Sequence, residues 1–373
     1  MKIVITGAQG LLGWHAGVAL HALNCAARFK GEAEPVALVR LDRAGFNDGQ
    51  KLQAALKGAD AVLHFAGANR APDAALETLN TAISAKLIAG CKAAGANPHI
   101  INANSIHAGR DTAYGRSKQQ AGSALGEFAS RFTDVLLPNI FGEGAKPDYN
   151  NVTATLIDRL LQGKTPEINP EGRIPLLHAG AAVRVMINAA LHGETGTITP
   201  EAPVIGIPAL YEKLQGFHHH YQQNIFPELS DPFDLALFNS YRAASYPTGW
   251  PRPLTLHDDA RGRLFEAVKG GGGGQCFVST TRPGVTRGDH FHLHKVERFL
   301  VVQGEAVIRM RKVLADEVWE YRVNGEAPAP VDMPSMHTHS IENIGKTPLL
   351  TLFWTHDLFD PQSPDTYADK VLP

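Results

Sequence analysis

Between Gly284 and Gly304 the chain reads GVTRGDHFHLHKVERFLVVQG, and its His290 and His292 stand two residues apart. On a β-strand both imidazoles leave the same face. Glu297 follows across what reads as a tight bend, and Phe299 to Val302 reads as the next strand, closed by Gly304. Further on, Pro334-Ser-Met-His-Thr-His339-Ser-Ile-Glu-Asn343 supplies another imidazole in His339. Three imidazoles and a carboxylate form a borderline-hard donor set suited to Zn²⁺, Fe²⁺ or Mn²⁺. A lone His-x-His pair would be explained as well by polar strand ends; His290, His292, Glu297 and His339 in order favour a metal. Asp289, His294 and His337 flank the set, in positions to orient its ligands.

A second constellation is Tyr114-Gly-Arg-Ser-Lys118, which puts a phenol and an ammonium on one face of a helix. The ammonium is expected to favour phenolate and draw the tyrosine pKa down from its ordinary value near 10. Ser105, upstream at a predicted strand end, is placed to hydrogen-bond a substrate oxygen. Together these groups can give or take a proton at a carbonyl while a nicotinamide gives or takes a hydride. A Tyr-x3-Lys alone is usually a helix-surface pair, so its weight depends on its surroundings.

Those surroundings begin at the N-terminus. Lys2 to Ile5 is a short apolar strand, followed by Thr6-Gly7-Ala-Gln-Gly10-Leu-Leu-Gly13 and a helix. Gly7 suits a tight turn, Gly10 a close approach to a pyrophosphate, and Gly13 the packing of helix on sheet. The next strand, from Pro35, ends in Arg40 where an acidic residue would bond the ribose of NAD; a cation there suits the 2′-phosphate of NADPH. Arg43 could share that role, and Asp42 is the residue that could overturn it. The strand Ala61 to Phe65 leads into the small-residue turn Ala66-Gly67. The predicted cofactor contacts are therefore Gly7, Gln9, Gly10, Leu11, Leu12, Gly13, Arg40, Ala66 and Gly67, with Tyr114 and Lys118.

At 373 residues the chain is long enough for two domains. Its net charge of −2 gives no electrostatic case for a nucleic-acid or membrane partner. Cys25, Cys91 and Cys276 form no Cys-x-x-Cys and fit a reducing compartment. The first residues run straight into strand and glycine loop, and nothing is apolar for long enough to span a bilayer, so a cytoplasmic location is expected. Helices are predicted over Leu76–Ala94, Pro208–Gln222 and Leu229–Arg242. His218 to His220 are consecutive on a helix and cannot chelate one ion together. Pro247, Pro251 and Pro253 mark a predicted boundary, giving domains 1–245 and 246–373. Beyond it, alternation from Leu264 is expected to open a barrel, with Gly270 to Gly274 as a flexible hairpin connection.

The pattern G-x5-H-x-H-x4-E-x6-G followed by P-x4-H-x3-N resembles the paired motifs of the cupin superfamily, with Met336 where a glycine is usual. That resemblance implies an antiparallel jelly-roll barrel holding a metal, most readily zinc. Asp259-Ala-Arg261-Gly262-Arg-Leu-Phe265-Glu266 is similar to the first strand of cupin sugar-nucleotide epimerases. The glycine loop, Ser105, Tyr114 and Lys118 resemble the short-chain dehydrogenase/reductases, and Pro138-Asn139-Ile-Phe141-Gly142 resembles their extended, nucleotide-sugar-modifying branch. The latter implies an α/β Rossmann-like fold and substrate contacts from Asn139, Tyr149, Asn150 and Asn151. The short loop before Tyr114 departs from that branch, as does His178 to Val183, which lacks an acidic pair.

The whole chain resembles bifunctional capsular-polysaccharide synthesis enzymes that join the two halves. That implies a homodimer acting on a UDP-linked 4-keto-6-deoxy N-acetyl sugar, with C3 epimerised in the barrel and C4 then reduced with NADPH. Metal-free cupin epimerases use a histidine at the position of His290 as base. A metal there would exclude it and leave Lys269, Lys295 and His337 as candidates. Two other readings are a 4-keto reductase with a non-catalytic cupin and an NADPH-sensing binding protein.

Overall fold

The apolar run Lys2–Thr6 forms the first strand, β1, with Ile3 and Ile5 on one side of a sheet and Val4 on the other. All three are fully buried, as a parallel strand covered by helices on both faces requires. In the computed structural model, which describes residues 1–372, the chain divides into two compact units. One holds Met1–Thr155 with Ile168–Pro208; the other holds Leu156–Glu167 with the chain from Ala209 onward.

The first unit opens with β1, α1 (Leu11–Phe29), β2 (Ala37–Leu41), α2 (Arg43–Asn47), α3 (Gly49–Leu56) and β3 (Ala61–His64). It continues with α4 (Asp73–Ala94), β4 (His99–Ser105), α5 (Ala113–Phe128), β5 (Phe132–Leu137) and β6 (Asn139–Phe141). After α6 (Val152–Leu161), whose residues from Leu156 belong to the second unit, come β7 (Arg173–His178), α7 (Ala179–His192), β8 (Gly196–Ile198) and β9 (Val204–Gly206). The main sheet is parallel in the order β2-β1-β3-β4-β5-β8, and β6-β7-β9 form a smaller one. Ala16 and Leu20 of α1 and Val183 and Met186 of α7 cover the face of Ile3. Leu52 of α3, Leu87 of α4 and Leu125 of α5 cover the face of Val4. This is the Rossmann-like arrangement the glycine loop led one to expect. It places the ends of β1, β3 and β4 side by side at the edge where such sheets bind ligands.

The second unit begins with α8 (Ile207–Gln222), β10 (Ile225–Phe226) and α9 (Pro232–Ala244), then β11 (His257–Asp259), β12 (Gly262–Leu264) and β13 (Lys269–Gly270). Its barrel consists of β14 (Gln275–Thr281), β15 (Thr286–Phe291), β16 (Glu297–Gln303), β17 (Glu305–Lys312) and β18 (Val318–Asn324). It is completed by β19 (Val331–Met333), β20 (His337–Asn343), β21 (Leu349–Thr355) and β22 (Tyr367–Ala368). These strands pair antiparallel in two sheets, β14-β21-β16-β19 and β18-β17-β20-β15-β22, the cupin-like fold expected.

Three local expectations differ. The proline-rich stretch near 246 lies inside the second unit, because α8 and α9 pack on the barrel: Tyr221 Oη donates to Asp332 Oδ2 (2.5 Å) and Asn239 Nδ2 to the carbonyl of His294 (2.7 Å). The run Gly270 to Gly274 is not a hairpin turn, since β13 pairs in parallel with β10 and β14 joins another sheet. Gly262 to Leu264 pairs with His257 to Asp259 as an exposed ribbon apart from the barrel sheets.

Candidate functional site

The glycine loop is shaped by close approach. Gly7 has φ +70°, and a Cβ there would lie 2.8 Å from the amide nitrogen of Ala66. A Cβ on Gly13 would lie 2.2 Å from the Gly7 carbonyl oxygen, so no side chain fits at either position. Gly10 is the N-cap of α1 and contributes no capping side chain, and no acidic residue follows in the first turn. The first amides of α1, at Leu11 and Leu12, thus open on a place suited to an anion. Arg40 sits in β2 next to Leu41, and burial lowers its pKa. The Asp42 carboxylate accepts the amide of Gly45 (2.7 Å) and caps α2, which engages the acid that might have competed for a ribose. The loop and the start of α1 fit a dinucleotide.

Ser105 ends β4, and Tyr114 and Lys118 lie in the first turns of α5, whose N-cap Thr112 accepts the Gly115 amide (3.0 Å). The Ser105 hydroxyl oxygen accepts the His107 amide (3.1 Å), leaving its proton to donate. Lys118 Nζ donates to the Ala103 carbonyl (2.8 Å). Burial pushes the Tyr114 phenol up, and a hydrogen bond with Ser105 pulls it partly back. The expected lowering by Lys118 is therefore not what governs this phenol; desolvation is. Lys118 is itself lowered to about 8, by burial first, with the charge of Asp134 opposing.

Around the turn after β6, side chains expected to meet substrate are occupied in holding the chain. Asn151 Nδ2 donates to the Ile140 carbonyl (2.9 Å) and its Oδ1 accepts the Ala154 amide (3.0 Å). Asn150 Nδ2 donates to the Asn69 carbonyl (2.8 Å) and Asn139 Nδ2 to that of Pro175 (3.3 Å). Tyr149 is exposed.

In the barrel, the four candidate ligands converge. One ligand atom from each of His290, His292, Glu297 and His339 lies within 4.8 Å of the others. His290 and His339 come from one sheet and Glu297 from the other, so the cluster sits between them. His292 Nδ1 donates to the Asp365 carbonyl (2.5 Å) and His339 Nδ1 to that of His337 (3.0 Å). Each Nε2 then faces the Glu297 carboxylate, at 3.1 Å and 3.2 Å. The His339 Nε2 is buried and lacks the alignment of a hydrogen bond. Burial and the neighbouring imidazoles lower His290 to about 3, leaving it neutral. Burial alone would raise the Glu297 pKa, yet the His292 and His339 rings hold it well below the usual carboxylate range. Converging Nε2 atoms, their other nitrogens pinned to carbonyls, are what a divalent cation such as Zn²⁺ requires.

The candidate bases separate by position. His337 lies two residues from His339 on the same face of β20, with Nδ1 donating to the Ser335 carbonyl (2.8 Å). Lys269 is in β13, outside the barrel sheets, and pairs with Glu266 (3.1 Å). The Lys295 ammonium donates to the Pro364 carbonyl (2.9 Å).

Comparison with known proteins matches residues 3–206 to the NAD dependent epimerase/dehydratase family. The chain belongs to that family. Residues 257–367 of this epimerase/dehydratase match the polysaccharide biosynthesis C-terminal domain. A curated relative, UDP-2-acetamido-2,6-beta-L-arabino-hexul-4-ose reductase of Pseudomonas aeruginosa, is 28% identical over 382 residues, covering 100% of this chain and 99% of the relative. Among solved structures, the capsular polysaccharide assembling protein CapF of Staphylococcus aureus is 30% identical with a TM-score of 0.57, all of both chains being covered. CapF with the inhibitor 3-isopropenyl-tropolone matches at 29% identity and a TM-score of 0.54, again over both whole chains.

Sequence reasoning passed over several residues of this epimerase/dehydratase. Asn80 holds the Ala68 amide (2.8 Å) and donates to Ser117 Oγ (3.0 Å), tying α4 to the turn after β3 and to α5. Asp134 accepts Asn102 and Asn104 Nδ2, both at 2.8 Å, behind Lys118. Buried Glu143 accepts His178 Nε2 (2.7 Å), which ties the turn after β6 to the end of β7. Asp365, on the C-terminal segment, carried no local signal at all.

Proposed function

We propose that this chain is a bifunctional nucleotide-sugar enzyme. It inverts C3 of UDP-2-acetamido-2,6-dideoxy-β-L-arabino-hex-4-ulose in the barrel and reduces C4 in the Rossmann-like unit, giving UDP-2-acetamido-2,6-dideoxy-β-L-talose. The observation that carries this reading is the presence, in one chain, of a Ser105–Tyr114–Lys118 site at a dinucleotide fold and a His290–His292–Glu297–His339 cluster in a barrel. The full-length similarity to a protein named as a reductase of that 4-keto sugar supports it.

The order of steps follows from the chemistry. A C4 ketone acidifies the hydrogen on C3, because the carbanion left behind is an enolate; reduction destroys that acidity, so inversion comes first. When bound, NADPH would supply the hydride, and a divalent metal held by His290, His292, Glu297 and His339 would supply positive charge to the enolate. His337, its Nδ1–H engaged with the Ser335 carbonyl, takes the C3 proton from one face, and a proton from solvent returns to the enolate on the other, which completes the inversion. In the other unit, Ser105 donates to the C4 oxygen and Tyr114, kept protonated by burial, delivers the proton. Lys118, one helical turn on from Tyr114 in α5 and donating to the Ala103 carbonyl, supplies positive charge to the site.

The test is NMR of the 4-keto sugar nucleotide in D₂O with enzyme, first without and then with NADPH. Deuterium at C3 before any reduction, followed by NADPH-dependent loss of the ketone, is expected. Reduction without C3 exchange would leave a reductase with a non-catalytic barrel, and no turnover would overturn both activities.

A further inference from the structure

We propose that Asp365 is the positioning residue that sets metal affinity at the His290–His292–Glu297–His339 centre, by fixing the tautomer and seat of His292. This rests on the reading above that the centre holds a divalent cation. The bend between β15 and β16 runs through Leu293, His294 and Lys295, and it joins the strand of His290 to the strand that begins at Glu297. The Asp365 carboxylate gathers all three amides of that bend: Oδ1 accepts Leu293 N, and Oδ2 accepts His294 N and Lys295 N, each at 2.9 Å. Its backbone carbonyl accepts the Nδ1–H of His292 at 2.5 Å. One residue therefore holds the bend through its side chain and the ligand ring through its main chain.

The surrounding segment keeps Asp365 in place. Its φ of +42° is one that aspartate tolerates better than most side chains. The Pro364 carbonyl before it accepts Lys295 Nζ and Thr366 Oγ1, both at 2.9 Å. After it, β22 pairs with β15 in the register His290↔Ala368, and the Asp369 amide donates to the Asp289 carbonyl (2.9 Å). The C-terminal segment thus works as a strap across the ligand-bearing strand. With Nδ1 held as donor, His292 has only Nε2 to offer the cation. Without the carboxylate, the bend amides lose their acceptors and the ring loses its fixed seat, though the ligands themselves are untouched.

The measurement is zinc affinity of the full chain by competition with a chromophoric chelator, for wild type, Asp365→Ala and Asp365→Asn, with visible spectra of the Co²⁺-loaded forms. Outer partners of ligating histidines are typically worth about 10–100-fold in affinity, and a loss of that size is expected for Asp365→Ala. Asp365→Asn, which keeps one acceptor oxygen, should fall between it and wild type. The Co²⁺ bands should shift in the alanine variant, while NADPH affinity and the melting temperature of the metal-free protein stay near wild type. Equal zinc affinity in all three proteins overturns the proposal, as does a loss matched by collapse of the metal-free fold in both variants. A wild-type chain that takes up no zinc at all overturns the metal reading itself, a different result from an unchanged variant.

Discussion

Arg298 and Asp332 form a two-pronged ion pair, Nε to Oδ1 at 2.6 Å and Nη2 to Oδ2 at 2.9 Å, with both side chains sealed from solvent. The pair lies one residue along β16 from Glu297, and Tyr221 of α8 joins it at Asp332, so it ties the helices to the strand that carries a candidate ligand. Removing one partner strands the other charge in the interior, which typically costs 3–5 kcal/mol. Asp332→Asn should therefore destabilise the second unit by about that much, and Arg298→Met with Asp332→Leu by less than either single change. Denaturation followed by tryptophan fluorescence would measure it, since Trp250, Trp319 and Trp354 all lie in that unit. The sign with pH follows. Burial alone would raise the Asp332 pKa, but Arg298 holds it below the usual value. Its stabilisation is thus present above an unfolded pKa of about 3.9 and fades as pH falls below that.

The two titrating groups of the reductase site lie on opposite sides of their usual order. Tyr114 is raised from 10 while Lys118 is lowered to about 8. The alkaline limb of kcat/KM should consequently belong to Lys118, with activity falling as pH rises through about 8 and the ammonium is lost. Lys118→Arg, whose charge does not titrate in this range, should remove that limb even if its maximum is lower. NADPH oxidation across pH 6–10 would show it, and a limb that persists unchanged in the arginine variant assigns the titration elsewhere.

Because the two sites stand in different units, their half-reactions should be separable. Tyr114→Phe should lower NADPH-dependent reduction by roughly 10²–10⁴-fold while C3 deuterium exchange continues. Glu297→Ala should do the reverse: exchange lost, and NADPH still bound with its ordinary affinity. Proton NMR for exchange and nucleotide fluorescence for binding give the two readouts. A Tyr114→Phe protein that also stops exchange would mean that inversion depends on the reductase site.

What could be read beforehand was what local spacing encodes. His290, His292, Glu297 and His339 were legible because strand alternation sends them inward whichever loops intervene. Gly7 and Gly13 were legible because only glycine permits that turn and that approach. The rest depended on partners distant in sequence. Asp365 reaches across to residues 293–295, Asp332 to Arg298 and Tyr221, and nothing near Asp365 or Asp332 announces the contact. The prolines near 246 resembled a boundary by composition, yet the helices before them carry Tyr221 and Arg242, which donate to the barrel at Asp332 and at the Met333 carbonyl. The effect of Lys118 on Tyr114 was misjudged for a related reason: spacing gave the pairing, but burial, which spacing cannot express, sets the phenol.

Cofactor choice comes down to Arg40 against Asp42. The Asp42 carboxylate is held by the Gly45 amide at the start of α2, while Arg40 stands just before it on the strand β2. A hydrogen bond between a guanidinium and a phosphate is worth about 1.5–3 kcal/mol, or roughly 10–150-fold. Arg40→Ala should therefore lower kcat/KM with NADPH by that factor and leave the value with NADH within about threefold. Asp42→Asn keeps an oxygen for the cap and should leave the ratio of the two nucleotides where it was. Steady-state kinetics with both nucleotides decide it. If Arg40→Ala weakens NADPH and NADH alike, the arginine is supporting the strand end and not reading a 2′-phosphate, and discrimination must come from another cation, with Arg43 the next to test.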